Sequence, residues 1–147
     1  MRRTPPALPH RNLALLLLQA RERVLLRFRP VLNAFGLTDQ QWRVLRAVND
    51  EGALEPRQIG EICCISSPSM AGMLARMQEL ELVDRKRMDS DQRRVVVSLT
   101  RRSRGLIAQV TPLIEQTYRE IEDELGREAI DALHQQIDAL LKNLPAR

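Results

Sequence analysis

The chain has 147 residues, 29% of them charged and 44% hydrophobic. That is enough for one domain with a sizeable core, and it excludes both a disordered polar chain and an array of domains. The longest fully apolar run, Leu13–Leu18, is too short to cross a bilayer, and the formal net charge of +4 is compatible with a polyanionic partner.

Four aromatic residues in a leucine-rich chain point to helices packed on helices. Pro5, Pro6 and Pro9 predict a flexible arm over residues 1–9. His10 falls at its end. The first helix is expected from about Leu13 to Phe35, broken late by Pro30 and stopped by Gly36. Thr38 followed by Gln41 reads as a capping box, and Trp42, Leu45 and Val48 continue it as a helix over about 39–49. "NDEG" at 49–52 reads as a turn, and Pro56 opens a short third helix with Ile59 and Ile62 pointing inward.

A fourth helix is expected to start at Ser66 or Ser67, either of which can cap it, with Pro68 in its first turn. Met70, Met73, Leu74, Met77 and Leu80 form its buried stripe. The opposite face carries Pro68, Ala71, Gly72 and Ala75, flanked by Ser69 and Arg76. Solvated helix faces normally carry long charged side chains. Gly72 costs about 1 kcal/mol of helix propensity relative to alanine, so close approach of something to this face is a reasonable motive. Two strands, about 82–87 and 94–99, enclose "MDSDQRR", and Thr100 can cap a fifth helix over about 101–125 that Pro112 is expected to kink. Gly126 separates it from a sixth helix over about 127–144.

The charge is unevenly spread. Residues 1–29 carry seven arginines against one glutamate, and residues 76–104 nine basic against five acidic side chains. Residues 115–138 carry eight acidic side chains against two arginines. A helix fits the DNA major groove, and a hairpin beside it reaches the adjacent minor groove, where arginine suits the strong negative potential. Arg93 at the hairpin tip has Asp91 two residues earlier to brace its guanidinium. Arg85, Lys86, Arg87, Arg94, Arg101 and Arg102 are placed for phosphates. The candidate DNA contacts are Ser66, Ser67, Pro68, Ser69, Gly72, Arg76, Lys86, Asp91, Arg93 and Arg94.

The residues argue against other classes. There is no Ser/His/Asp set, metal-ligand spacing or phosphate loop, so no enzymatic activity and no cofactor or metal are expected. Cys63 and Cys64 are adjacent, beside Ile62 and Ile65. They read either as core filler in a reducing compartment or as a thiol switch, and the second reading makes a redox-sensing repressor the alternative function.

Three stretches carry a family resemblance: "GLTDQQWRVLRAV" at 36–48, "ISSPSMAGMLARMQELELVDRK" at 65–86 and "DQRRVVVSLT" at 91–100. Together they resemble the MarR family of bacterial transcription regulators. Residues 15–46 are similar to its branch that represses aromatic-acid catabolism operons, homoprotocatechuate degradation in particular. The resemblance implies a mainly α fold, a winged helix-turn-helix lobe over 38–100, and dimerisation helices over 10–37 and 101–145 forming a triangular homodimer. It implies a repressor of a double-stranded palindromic operator, released by a small aromatic carboxylate; a cytoplasmic location is expected because no Sec-type cleavage site follows the charged start. The effector then lies between the first helix and the second and fifth. Arg21 is the expected carboxylate anchor, unless it pairs with acidic neighbours instead, and Gln19, Trp42 and Arg43 are further candidates. Trp42 reads more readily as core than as a lid over the ligand. Two positions depart from the pattern. Glu81 stands where glycine usually ends the recognition helix, implying a strained helix end, and Gly72 replaces a bulkier polar residue.

Overall fold

A computed structural model of the chain describes residues 5–146. Residues 1–4 of the expected arm lie outside the described residues, and residues 5–12 form no helix or strand. Asn12 caps α1 (Leu13–Ala34), its side chain accepting from the Leu15 N–H at 3.0 Å. The expected break at Pro30 does not occur. Pro30 and Leu26 are both exposed, so the Leu26 carbonyl that proline cannot serve faces solvent and the helix continues. It ends at Gly36, whose φ of +70° lets Leu37 N–H reach back to the Leu32 carbonyl at 2.9 Å.

The Thr38–Gln41 capping box is formed, with both bonds at 3.1 Å, and starts α2 (Asp39–Glu51). This helix runs to Glu51, so most of the expected "NDEG" turn is its last turn and only Gly52 leaves it. Its buried face sets Val44, Leu45 and Val48 into the core. The short α3 (Pro56–Cys63) follows, then α4 (Ser67–Glu79) with Ser66 as its N-cap. The Ser66 hydroxyl makes no bond to the helix backbone and instead donates to Ser69 Oγ at 3.1 Å. Met70, Leu74 and Met77 are buried and Met73 and Leu80 half-buried, as their spacing requires.

β1 (Val83–Arg87) and β2 (Val95–Leu99) pair antiparallel with Val83 opposite Leu99 and Arg87 opposite Val95. A third edge exists that the sequence pattern did not reveal. Leu54, just before α3, exchanges backbone hydrogen bonds of 3.0 and 2.7 Å with Val97, so the hairpin is stitched to the helical lobe. Val97 is fully buried there.

Thr100 and Ser103 form a capping box for α5 (Arg101–Leu125), which runs through Pro112 as one helix. α6 (Arg127–Asn143) closes the chain. α1 and α5 pack together through Phe28, Leu32, Val110 and Ile114, and Arg27 forms a two-pronged ion pair with Glu124 at 2.8 and 2.5 Å. α6, by contrast, buries no residue within the chain: Leu133, Leu141 and Leu144 are more than half exposed. Leu13, Leu15, Leu16, Leu17 and Leu18 at the start of α1 are exposed as well. No helix among the described residues is long and apolar enough to cross a membrane.

Candidate nucleic-acid interface and effector cavity

α4 and the hairpin present one continuous surface. A groove of about 610 Å3 lies among α3, α4 and the strands, lined by Arg57 and Glu61 of α3, by Ser67 and Ala71 of α4 and by Arg85 and Val95. Arg85 Nε also donates to Gln78 Oε1 of α4 at 2.7 Å. Ser66, Ser67, Pro68, Ser69, Gly72 and Arg76 are all exposed, and a Cβ added at Gly72 would meet nothing within 4 Å. Arg76 pairs with Glu79 at 3.2 Å, an exposed contact that a phosphate or base edge can displace.

Two non-glycine residues adopt left-handed backbone, and they bracket α4. Cys64 (φ +54°) ends α3, and Glu81 (φ +57°) ends α4. The helix end expected to be strained at Glu81 is therefore a left-handed turn, with Leu82 N–H on the Met77 carbonyl at 2.9 Å. The freed carbonyls beyond it are taken by the start of α5. Thr100 Oγ1 donates to Glu81 O and Arg102 Nη1 to Leu80 O, both at 2.6 Å.

At the hairpin tip, Asp91 Oδ1 accepts from both the Arg93 backbone N–H (3.0 Å) and Arg93 Nε (3.3 Å), while the Arg93 side chain stays 93% exposed. The bracing expected from the spacing is present. Lys86 is exposed on β1. The other arginines divide. Arg94 is ion-paired with Glu55, Arg87 donates to the Gln92 carbonyl at 2.7 Å, and Arg102 holds Leu80 O as above. These three are bonded within the lobe, whereas Arg93, Lys86 and Arg101 extend as exposed cations.

A second cavity, about 360 Å3, lies where α1, α2 and α5 meet. Phe28, Trp42 and Tyr118 give it an aromatic lining, with the Phe28 and Tyr118 rings 4.7 Å apart and tilted by 57°. Arg43 and Arg46 supply cations, Asp39, Asp50 and Glu51 stand at its wall, and Arg46 is paired with Asp50 at 3.5 Å. Trp42 and Arg43 thus belong to the cavity, in the region expected from the sequence. Arg21 and Gln19 do not line it: Arg21 is tied to Glu22 at 3.3 Å and to Asp39 at 3.5 Å. Arg46 and Tyr118 were not singled out from the sequence. Arg46 lies four residues after Trp42 and Tyr118 four after buried Ile114, so helical spacing alone would have found both.

Arg43 Nη1 donates to the Cys63 carbonyl at 2.6 Å, and the Cys63 thiol donates to the Arg43 carbonyl at 3.4 Å. The Arg43 Nε is buried and has no hydrogen-bond partner. Burial raises the Cys63 thiol pKa above its ordinary value, and the nearby Arg43 only partly opposes this. A thiol held protonated is a poor nucleophile, so the geometry does not favour the redox alternative. Cys64 is exposed, and no group of three or more metal-ligating side chains occurs among the described residues.

A helix with a small-residue outer face, an arginine-tipped hairpin stitched beside it and long flanking helices define a winged helix-turn-helix architecture of the DNA-binding regulator class. Residues 35–94 match the MarR family model. The chain is 36% identical to the HTH-type transcriptional regulator FarR of Neisseria gonorrhoeae over 138 residues, covering 94% of each chain. It is also 36% identical to the homoprotocatechuate degradative operon repressor of Escherichia coli over 124 residues, covering 84% of each. Its fold is similar to that of NadR in complex with 4-hydroxyphenylacetate, with a TM-score of 0.80, 35% identity, and coverage of 95% of this chain and 99% of that one. The repressor CouR bound to a 23-mer DNA duplex has a TM-score of 0.80 at 26% identity, covering 87% of this chain and 91% of that one. This protein belongs to the MarR family of transcription regulators.

Proposed function

We propose that this regulator represses an operon for breakdown of an aromatic compound, binding a palindromic operator as a homodimer and leaving it when a small aromatic carboxylate fills the cavity. The cavity carries the reading. Three aromatic side chains suit a flat ring, Arg43 keeps its Nε edge free, and Arg46 can exchange its exposed pairing with Asp50 at 3.5 Å for a carboxylate. Similarity to a repressor of homoprotocatechuate degradation and to NadR with its bound 4-hydroxyphenylacetate supports the same effector class.

In this reading Ser66, Ser67, Pro68, Ser69, Gly72 and Arg76 of α4 enter the major groove, and Arg93, braced by Asp91, enters the minor groove with Lys86 on phosphate. Arg94 acts through Glu55, holding the wing in place. CouR on its duplex supports the docking mode. The unpartnered apolar faces of α1 and α6 support pairing of two copies through segments 10–37 and 101–145, with residues 38–100 as the DNA-binding lobe. Two reading helices about 34 Å apart reach successive major grooves, and an effector acts by favouring a pair with a different spacing.

The test uses 4-hydroxyphenylacetate and a duplex selected by the protein from a random pool. Fluorescence of Trp42, the only tryptophan, is expected to change on titration with the acid, and the duplex to be released over the same concentration range. Saturable binding that is lost in Tyr118→Ala and Arg46→Ala supports the cavity. Retention of the duplex at every concentration of the acid overturns it.

A further inference from the structure

We infer that Arg43 is the positioning residue that couples the cavity to the recognition helix: one side of its guanidinium holds the end of α3 through the Cys63 carbonyl, and its unpartnered Nε side receives the anion. This rests on the effector reading above and adds the route by which occupancy reaches DNA.

A guanidinium presents its donors in a rigid planar fork. Nη1 is already committed, at 2.6 Å, to the last carbonyl of α3. Nε sits on the opposite edge together with an Nη2 hydrogen, the edge that makes two parallel bonds to a carboxylate. That Nε is buried without an acceptor, on a residue of the cavity wall. Buried donors are rarely left so, and each such case calls for an explanation. An anionic occupant would complete it.

The chain leaves little slack between this contact and α4. The Cys63 thiol returns a bond to the Arg43 carbonyl, so α2 and the end of α3 are tied twice. Cys64 follows in a left-handed conformation, Ile65 N–H closes on the Gly60 carbonyl at 3.0 Å, and Ser66 is already the N-cap of α4. A guanidinium drawn toward a carboxylate moves the Cys63 carbonyl, and the tight turn passes that shift to the reading helix. A simple cap of the α3 carbonyls would leave ligand-free and liganded DNA affinity equally dependent on Arg43.

Arg43→Lys keeps the charge but loses the fork. Operator affinity is measured with and without saturating 4-hydroxyphenylacetate, ligand binding by Trp42 fluorescence, and folding by thermal melting. In the wild type the acid is expected to lower DNA affinity by at least tenfold, within the usual range of coupling of about 5–150-fold. In Arg43→Lys the acid still saturates the site, at a higher concentration, but the ratio of DNA affinity without acid to that with saturating acid falls below about twofold. Arg43→Gln repeats the measurement if the lysine variant melts early. An unchanged ratio at saturating acid overturns the coupling, as does loss of DNA binding without ligand in both variants. If the wild type neither binds the acid nor releases DNA, the effector reading itself has failed, and the coupling falls with it.

Discussion

Arg94, at the loop end of β2 next to the wing tip, is ion-paired with Glu55, the residue that leads into α3. The Leu54–Val97 backbone pair lies immediately beside it. The wing is therefore fastened to the helical lobe at two adjacent points, one of backbone and one of charge. Glu55 is 27% and Arg94 55% exposed, so solvent screens the pair. A double-mutant cycle of Glu55→Gln and Arg94→Gln in urea is expected to give a coupling of about 0.5–1 kcal/mol. A coupling near zero would show that the contact does not fasten the wing. Hydrogen exchange over residues 88–95 should quicken in either single variant while the core amides stay protected.

Arg93 has the opposite role. Its side chain reaches past Asp91 into solvent and supports nothing else in the fold. Arg93→Ala is expected to weaken operator binding by about 1–3 kcal/mol and to reduce the slope of log affinity against log salt by about 1. The thermal midpoint should not move. Arg94→Gln should lower affinity less than Arg93→Ala. Mobility-shift titrations at three salt concentrations settle the order, and the reverse order would assign minor-groove entry to Arg94.

Glu81 sits at φ +57° where its side chain contributes no hydrogen bond. Glu81→Gly is expected to stabilise the fold by about 0.5–1 kcal/mol, the relief of left-handed strain less the extra freedom of glycine in the unfolded chain. A urea midpoint that falls would show that the strain is compensated locally.

The Cys63 thiol titrates above its ordinary value because burial disfavours the thiolate. Its folded pKa is raised, so the protonated thiol contributes stability below the unfolded value, and that contribution is lost as pH rises toward the folded one. At pH 7–8 iodoacetamide is expected to modify exposed Cys64 well before Cys63, and mild peroxide to leave operator affinity unchanged. Mass spectrometry after timed alkylation checks the order. Rapid modification of Cys63 in the folded protein would restore the thiol-switch reading.

Local chemistry made much of this legible. The Thr38–Gln41 and Thr100 caps, the α4 stripe and the alternation of Val95, Val97 and Leu99 are dictated by residues a few positions apart, and they form as read. Pro30 misleads because its effect depends on which side of the helix the freed carbonyl faces, and that is a tertiary fact. The Leu54–Val97 bridge joins single residues far apart in sequence and leaves no periodicity. Arg21 looked like an anchor because it follows an apolar run. Asp39 of α2, brought near only by folding, takes its guanidinium instead.

α6 leaves every one of its residues at least partly exposed. On the pairing proposed above, the species that grips DNA forms with the square of the monomer level whenever that level lies below the dissociation constant of the pair. A twofold drop in synthesis would then remove about three quarters of the active pairs. Such a protein would respond to its own abundance as steeply as to a small molecule.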